Sequence, residues 1–277
     1  MVSVGELGVW SHELRYAEPA KISRAASLLE ALGYTTLWIP DVGGPVFEAI
    51  ERLLEATSTA TIATGVLNVW MHSPAEVCTW WQGLPKDHQD RVLLGLGVSH
   101  APLIGERWGQ PLATMSEYLD GLDDGDVPVP HRCLAALGPK MLALAGRRSA
   151  GAHTYLVTPE HTRLARTALG DARLYVEQGV VLEADPATAR GIARAALEIY
   201  CELPNYVINL KRLGFTDDDI TSRSDRLVDE LVAWGDVDTI TARIDAHRQA
   251  GADHVCLQVL TGPGDEPTAT WRALAPQ

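Results

Sequence analysis

The chain is short of cations, of paired cysteines and of long apolar runs, and each shortage removes a class of function. Against 36 Asp and Glu stand 23 Lys and Arg, a formal net charge of −13 over 277 residues. Such a balance argues against a broad nucleic-acid surface, since phosphate backbones are held by clustered cations. The four cysteines, Cys78, Cys133, Cys201 and Cys256, are scattered without a CxxC pair. Neither they nor the histidines show metal-ligand spacing, so no metal site is expected, and reduced buried thiols in a cytoplasmic protein fit them better. No apolar run approaches the roughly 20 residues that a membrane helix needs. The opening stretch MVSVGELGVWSHELR has no basic leader before an apolar block, so no signal peptide is expected.

What is present is 46% hydrophobic residues at a mean hydropathy of −0.01, enough for a full core. The length suits one α/β domain over residues 1–277, because barrels commonly run about 250 residues undivided. The sharpest local signal is Arg91–Pro102, RVLLGLGVSHAP. An apolar run, Val92–Leu96, has the look of a strand buried on both faces. It ends in Gly97-Val98-Ser99-His100, a glycine that clears space and then an imidazole. Parallel α/β proteins build their sites in this way, at the carboxyl ends of strands.

The pattern recurs along the chain. Strand-like runs fall at Gly5–Trp10, Thr36–Pro40, Thr61–Trp70, Val92–Gly97, Arg132–Leu137, Ala152–Val157, Leu174–Leu182 and His254–Leu260. Helical stretches alternate with them. Pro19–Leu32 has an apolar face and stops at Gly33, Ser73-Pro74-Ala75-Glu76 reads as a capped start, and Asp236–Ala250 leads through Gly251 into the last strand. Eight strands with alternating helices predict a (β/α)8 TIM barrel, with an open doubly wound sheet as the alternative. Two regions break the rhythm. Gly109–Pro130 reads as one short helix and an acidic loop at Asp123–Asp126. Pro186–Trp234 is too long for one crossover and reads as a helical insertion between strands 7 and 8, with helices at Thr188–Glu202, Pro204–Leu213 and Arg223–Trp234. The cluster Thr216–Asp219 caps a helix start.

Four motifs in order carry a family resemblance: Thr36–Asp41 (TLWIPD), Ala63–Asn68 (ATGVLN), Leu94–His100 (LGLGVSH) and Leu134–Met141 (LAALGPKM). The chain resembles the bacterial luciferase-like flavin and deazaflavin oxidoreductases, most closely the branch that uses coenzyme F420. The resemblance runs on through Arg190–Leu213 and Asp245–Leu260. It implies a TIM barrel, agreeing with the strand count, and a homodimer. It also implies an F420-dependent oxidoreductase that moves hydride to or from a small, largely apolar substrate. An FMN-dependent monooxygenase, or a relative that only binds flavin or deazaflavin, is the alternative.

Each motif also has a physical reading. Gly95-Leu96-Gly97 lacks the third glycine of a dinucleotide fingerprint, His100 standing in its place. Gly138-Pro139-Lys140 follows a strand and opens a helix, so free N–H groups and a cation can meet a phosphate. The resemblance assigns Leu137 and Met141 to that turn, Gly97, Val98 and Ser99 to the cofactor, and a cis peptide at Gly65-Val66 beneath the ring, beside Asn68. Lys140, Arg147, Arg148 and Arg107 are the local cations available to the cofactor's anionic tail. Asp41 ends strand 2 and is a candidate cofactor contact. Related sugar-phosphate dehydrogenases follow this aspartate with a histidine, but here Val42 follows. His100 aligns with the relatives' acidic proton donor and is the candidate catalytic residue. Trp10, Trp70 and Trp108 are candidate substrate contacts, while Trp38 reads as core. His12, His72, His131 and His161 lie near strand ends without a ranking.

Overall fold

The computed structural model describes residues 2–276, apart from the side chain of Arg107. Eight parallel strands close on themselves: β1 Leu7–Trp10, β2 Thr36–Ile39, β3 Thr61–Thr64, β4 Val92–Gly97, β5 Arg132–Ala135, β6 Gly151–Thr154, β7 Arg173–Val181 and β8 His254–Val259. Closure comes from β8, which pairs with β1 (Leu7↔Val255, Gly8↔Cys256) and with β7 (His254↔Tyr175 through Val259↔Val180). The strands are almost wholly buried, as expected where helices cover the outside and side chains fill the inside.

Alternation along each strand decides which residues face the barrel axis. Trp10, Trp38, Ala63, Leu93, Cys133, Tyr175 and Cys256 form one packed interior cluster. Trp38 stacks on His153 with centroids 4.5 Å apart, and its Nε1 lies 3.0 Å from His254 Nε2. The helices follow the sequence signals. Pro19–Ala31 stops before Gly33 at φ 93°, Ser73 and Glu76 form a capping box at Pro74–Gly83, and Asp236 caps Val237–Gln249. No helix among the described residues is long and apolar enough to cross a membrane.

Four expectations need correction. The run Thr61–Trp70 is two strands, β3 and a short Leu67–Asn68 strand that pairs with β4, leaving Trp70 in the following turn. The short helix is longer than expected: Pro111–Asp124 runs 14 residues and takes in the first half of the acidic loop, leaving Gly125 and Asp126 as the turn. Asp123 there bonds Arg132 and Arg148, partners too distant in sequence for local reading. The segment between β7 and β8 holds helices at Pro186–Leu197, Pro204–Arg212, Asp217–Ser222 and Asp225–Leu231, with a 3-10 turn at Tyr200–Glu202. Its end, Val232–Trp234, is strand and not helix, pairing with β7 (Gly179↔Val232, Val180↔Ala233, Val181↔Trp234). β7 runs on beyond its pairing with β6, and this strand covers the edge left open.

Candidate active site

Gly65 sits where β3 breaks. Its N–H donates to Ile39 O at 2.8 Å, its carbonyl accepts from Trp10 Nε1 at 2.8 Å, and the Gly65–Val66 peptide is cis. Only glycine fits at 65, because a Cβ would come within 2.5 Å of Trp10 Nε1. The neighbouring strand is cut to match. A Cβ on Gly95 would lie 2.0 Å from Thr64 O, and one on Gly97 would lie 2.5 Å from Val66 Cγ2. The two glycines of β4 therefore let the Thr64–Val66 bulge close in, a packing role that needs no phosphate.

Beyond Gly97 the chain turns sharply, with Ser99 at φ 59°, and delivers His100 to the mouth. Trp70 Nε1 donates to Val98 O at 2.7 Å, tying the β3 loop to the β4 loop. His100 is half-buried under the helix Pro204–Arg212. Asn205 Nδ2 lies 3.3 Å from its Nδ1, and the Tyr206 ring is 5.3 Å away. Burial pushes its pKa below the ordinary histidine value.

Asp41 is buried after β2. Its Oδ2 accepts from Asn68 N–H and from His72 Nε2, both at 3.1 Å, while Oδ1 has no partner. Val42 is 73% exposed, so the imidazole at this aspartate comes from the next loop.

The turn Leu137–Met141 behaves as a helix start without a side-chain cap: Gly138 precedes Pro139–Arg148, and Lys140 is exposed. A Cβ at Gly138 would have only Arg212 Nη1 near it, at 3.9 Å. Beside this turn starts the helix Pro159–Leu169, where His161 is buried. Its Nε2 donates to Leu137 O at 2.9 Å and its Nδ1 is unpartnered. Burial, reinforced by the Arg212 cation, holds that imidazole below its usual pKa. On the same helix as Arg212, Asn209 is 2% exposed with both amide atoms unpartnered. Two helix amino termini and the Arg212 cation so gather at one turn, an arrangement suited to an anion. Arg147 and Arg148 do not belong to it. They occupy the last turn of Pro139–Arg148, at the opposite end, where Arg148 pairs with Asp120 and Asp123. The Arg107 side chain lies outside the described residues.

Several groups at the mouth escaped sequence reading. Glu177, one register step above Tyr175 on the interior face of β7, is 1% exposed. Its Oε2 accepts from Leu156 N–H at 3.0 Å and its Oε1 is unpartnered. Burial raises its pKa to about 8, so it is a neutral acid at pH 7. Nearby, the Tyr155 hydroxyl donates to Gln258 Oε1 at 2.7 Å and lies 3.1 Å from the Tyr200 hydroxyl. Period-two alternation places Glu177 inward once the strand is known, but an isolated Glu in RLYVEQGVV gives no such signal.

The other candidates separate by position. Trp10 is 3% exposed and belongs to the interior cluster as well as bordering a cavity. Trp70 is half-buried in its turn, and Trp108, after a 3-10 turn, is half-buried too. His131 lies at the amino end of β5 with Nδ1 3.1 Å from Val92 O, away from the mouth.

Comparison with known proteins adds a partial family match and a shared fold. The luciferase-like monooxygenase model matches residues 2–124. An F420-dependent secondary alcohol dehydrogenase, solved with an F420-acetone adduct, superposes with a TM-score of 0.75 at 16% identity, covering 99% of this chain and 98% of the other. The coenzyme F420-dependent tetrahydromethanopterin reductase of Methanopyrus kandleri gives 0.76 at 16%, with the same coverage. The oxygenating constituent of 3,6-diketocamphane monooxygenase from Pseudomonas putida, solved with FMN, gives 0.66 at 16%, covering 99% and 96%. At such identity these three share the fold. No curated protein matches the chain. The luciferase-like monooxygenase model thus matches the amino-terminal part of the chain, and the barrel fold is shared with these structures over nearly its whole length.

Proposed function

We propose that the protein is an F420-dependent oxidoreductase acting on a small, largely apolar organic substrate. The observation that carries the reading is the anion cradle facing the mouth. It joins the uncapped turn at Gly138, the start of Pro159–Leu169, Arg212 and Lys140 with the unpartnered groups of Asn209 and His161. Orphaned polar atoms this deeply buried cost free energy unless something completes them. Acceptor oxygens of an anionic tail suit the Asn209 Nδ2 donor, while the acceptors His161 Nδ1 and Asn209 Oδ1 call for a donor such as a ligand hydroxyl. The residues fit the group. Lys140, Arg212 and the backbone at 138–141 would hold its phosphate, and Val66, Asn68, Gly97 and Asp41 would surround its ring. The order of the four motifs, closest to the F420-using branch, favours the deazaflavin over FMN.

When bound, a deazaflavin supplies or accepts hydride at carbon and does not activate oxygen. The chain's own part is to fix and shelter the reacting pair. Val66 forms the ledge, pressed forward by the bulge that Gly95 and Gly97 permit. Tyr206 and the helix Pro204–Arg212 cover the mouth and exclude water. His100, held neutral by burial, accepts or returns a proton. Titration of the purified protein with F420 and FMN side by side, followed by ring fluorescence, tests the reading. Saturable F420 binding is expected; tight FMN binding without response to F420 overturns the cofactor. F420 binding with no turnover on any alcohol or ketone leaves a carrier.

A further inference from the structure

A cavity of about 380 Å³ opens between the helix Pro186–Leu197 and the carboxyl ends of β1 and β8. Trp10 bounds it on the side of Gly65, whose carbonyl that indole holds. Ile192, Ile199, Val259 and Leu260 give it apolar walls, and no lysine or arginine lines it. Glu13 is the carboxylate at its rim, engaged by the Ser11 hydroxyl. An anionic ligand would thus meet a carboxylate and no cation, an arrangement that rejects carboxylates and phosphates.

Two polar side chains in this lining have capacity to spare. Gln258 is oriented by the Tyr155 hydroxyl, which donates to its Oε1 at 2.7 Å. Its Nε2 has no hydrogen-bond partner among the described residues, so a donor is left over beside the apolar wall. His12 stands edge-on to Trp10, ring centroids 4.9 Å apart at 89°, and its ring nitrogens make no hydrogen bond among the described residues. The residue is exposed, but local desolvation by its neighbours lowers its pKa below the ordinary value, against the raising effect of Glu13. A neutral imidazole and an amide N–H at the edge of an apolar space match one oxygen on a compact hydrocarbon frame.

We propose that this cavity is a substrate-binding subsite beside the reacting position, that it takes an uncharged alicyclic or branched alcohol or ketone, and that Gln258 Nε2 and His12 hold the ligand's oxygen there before it is presented to His100. Calling the ligand a substrate rests on the oxidoreductase reading above; the binding itself does not.

Ligand-observed NMR titration of the cofactor-free protein with cyclohexanone, cyclohexanecarboxylate and cyclohexylammonium tests the class. Cyclohexanone is expected to bind at least 10-fold more tightly than either ion. Ala195 is exposed and Ala196 half-buried along the same wall. Ala195→Trp or Ala196→Trp should fill the space and weaken cyclohexanone at least 10-fold, with far-UV circular dichroism showing the fold retained. Gln258→Leu should weaken it by about 10-fold, the worth of one hydrogen bond. Equal or tighter binding of either ion overturns the class. Undetectable cyclohexanone binding, or affinity untouched by both tryptophan variants, overturns the site. The parallel F420 and FMN titration separates the two readings: selective cyclohexanone binding without cofactor binding leaves the subsite standing and removes the oxidoreductase.

Discussion

His72 Nε2 donates to Asp41 Oδ2 across 3.1 Å, joining the loop after β3 to the end of β2. The same carboxylate oxygen takes the Asn68 N–H, so one aspartate fixes both the backbone beside the cis peptide and an imidazole. The structure thereby returns a histidine to an aspartate whose chain neighbour is the exposed Val42. Asp41→Ala should cost about 1–3 kcal/mol, because it leaves the Asn68 N–H unpaired as well as the ring. His72→Ala should cost less, since that side chain is partly solvated. Urea denaturation midpoints of the two variants check the order; an equal or reversed order would show that Asp41 does not anchor Asn68.

Gly97 and Gly138 offer a matched contrast. A methyl at 97 would strike Val66 Cγ2 at 2.5 Å, whereas one at 138 meets nothing closer than Arg212 Nη1 at 3.9 Å. Gly97→Ala should displace Val66, cost about 1–3 kcal/mol as overpacking does, and weaken cofactor binding. Gly138→Ala should leave stability within about 0.5 kcal/mol. Thermal denaturation with and without cofactor measures both. A benign Gly97→Ala would mean that Val66 is not pressed forward by its neighbour.

These contacts show where sequence reading stopped. Most barrel strands were legible because each is a compact buried apolar run between helical stretches, and the caps at Ser73 and Thr216 were legible because capping is local. The Val232–Trp234 strand was not, since its cause is the unpaired edge of β7, some 50 residues earlier along the chain. Position explains the site's gaps as well. His100, Gly138 and Lys140 follow strands directly and could be seen, whereas Asn209 and Arg212 come from the β7–β8 segment and meet the mouth only in three dimensions. Asp123 fails differently, its partners Arg132 and Arg148 being unreadable from an acidic run alone.

The cradle at Gly138 makes a charge prediction. Lys140→Glu and Arg212→Glu should each weaken F420 binding, most at low ionic strength where charges are least screened. Arg148→Glu, at the far end of the helix, should not alter it beyond a few fold. Fluorescence titrations at two salt concentrations check this. Equal losses from all three variants would indicate a diffuse field and not a local cradle.

Buried titratable groups set the pH dependence of stability. His153, His247 and His254 are held neutral by burial, with pKa values of about 3, 3 and 4. Their folded values lie below the unfolded one, so the stability they allow is present above about pH 6.5 and is lost as pH falls. Glu177 has the opposite sign. Its folded pKa of about 8 exceeds the unfolded value, so stability falls as pH rises from about 4.5 to 8. A maximum near pH 6.5 is expected. Glu177→Gln keeps the neutral shape and should flatten the alkaline side, removing up to about 1.4 kcal/mol per pH unit. Chemical denaturation across pH 5–9 tests it, and an unchanged alkaline slope in the variant would place the titration elsewhere.

His100 carries the sharpest functional prediction. It follows Gly97-Val98-Ser99 at the end of β4, is covered by Tyr206 and approached by Asn205, and among the described residues makes no hydrogen bond to the groups around Gly138 that would hold phosphate. General acid–base groups contribute about 10²–10⁴ in rate. His100→Ala should therefore lower turnover by a factor in that range while cofactor affinity stays within a few fold. Its pKa is lowered, so the neutral base is lost only below the ordinary histidine range. In the alcohol-oxidising direction the wild type should lose activity as pH falls through that region, and the variant should lose this acid limb. Undiminished turnover in His100→Ala, with the limb intact, would transfer the proton to another mouth histidine, and His12→Gln would be the next variant to measure.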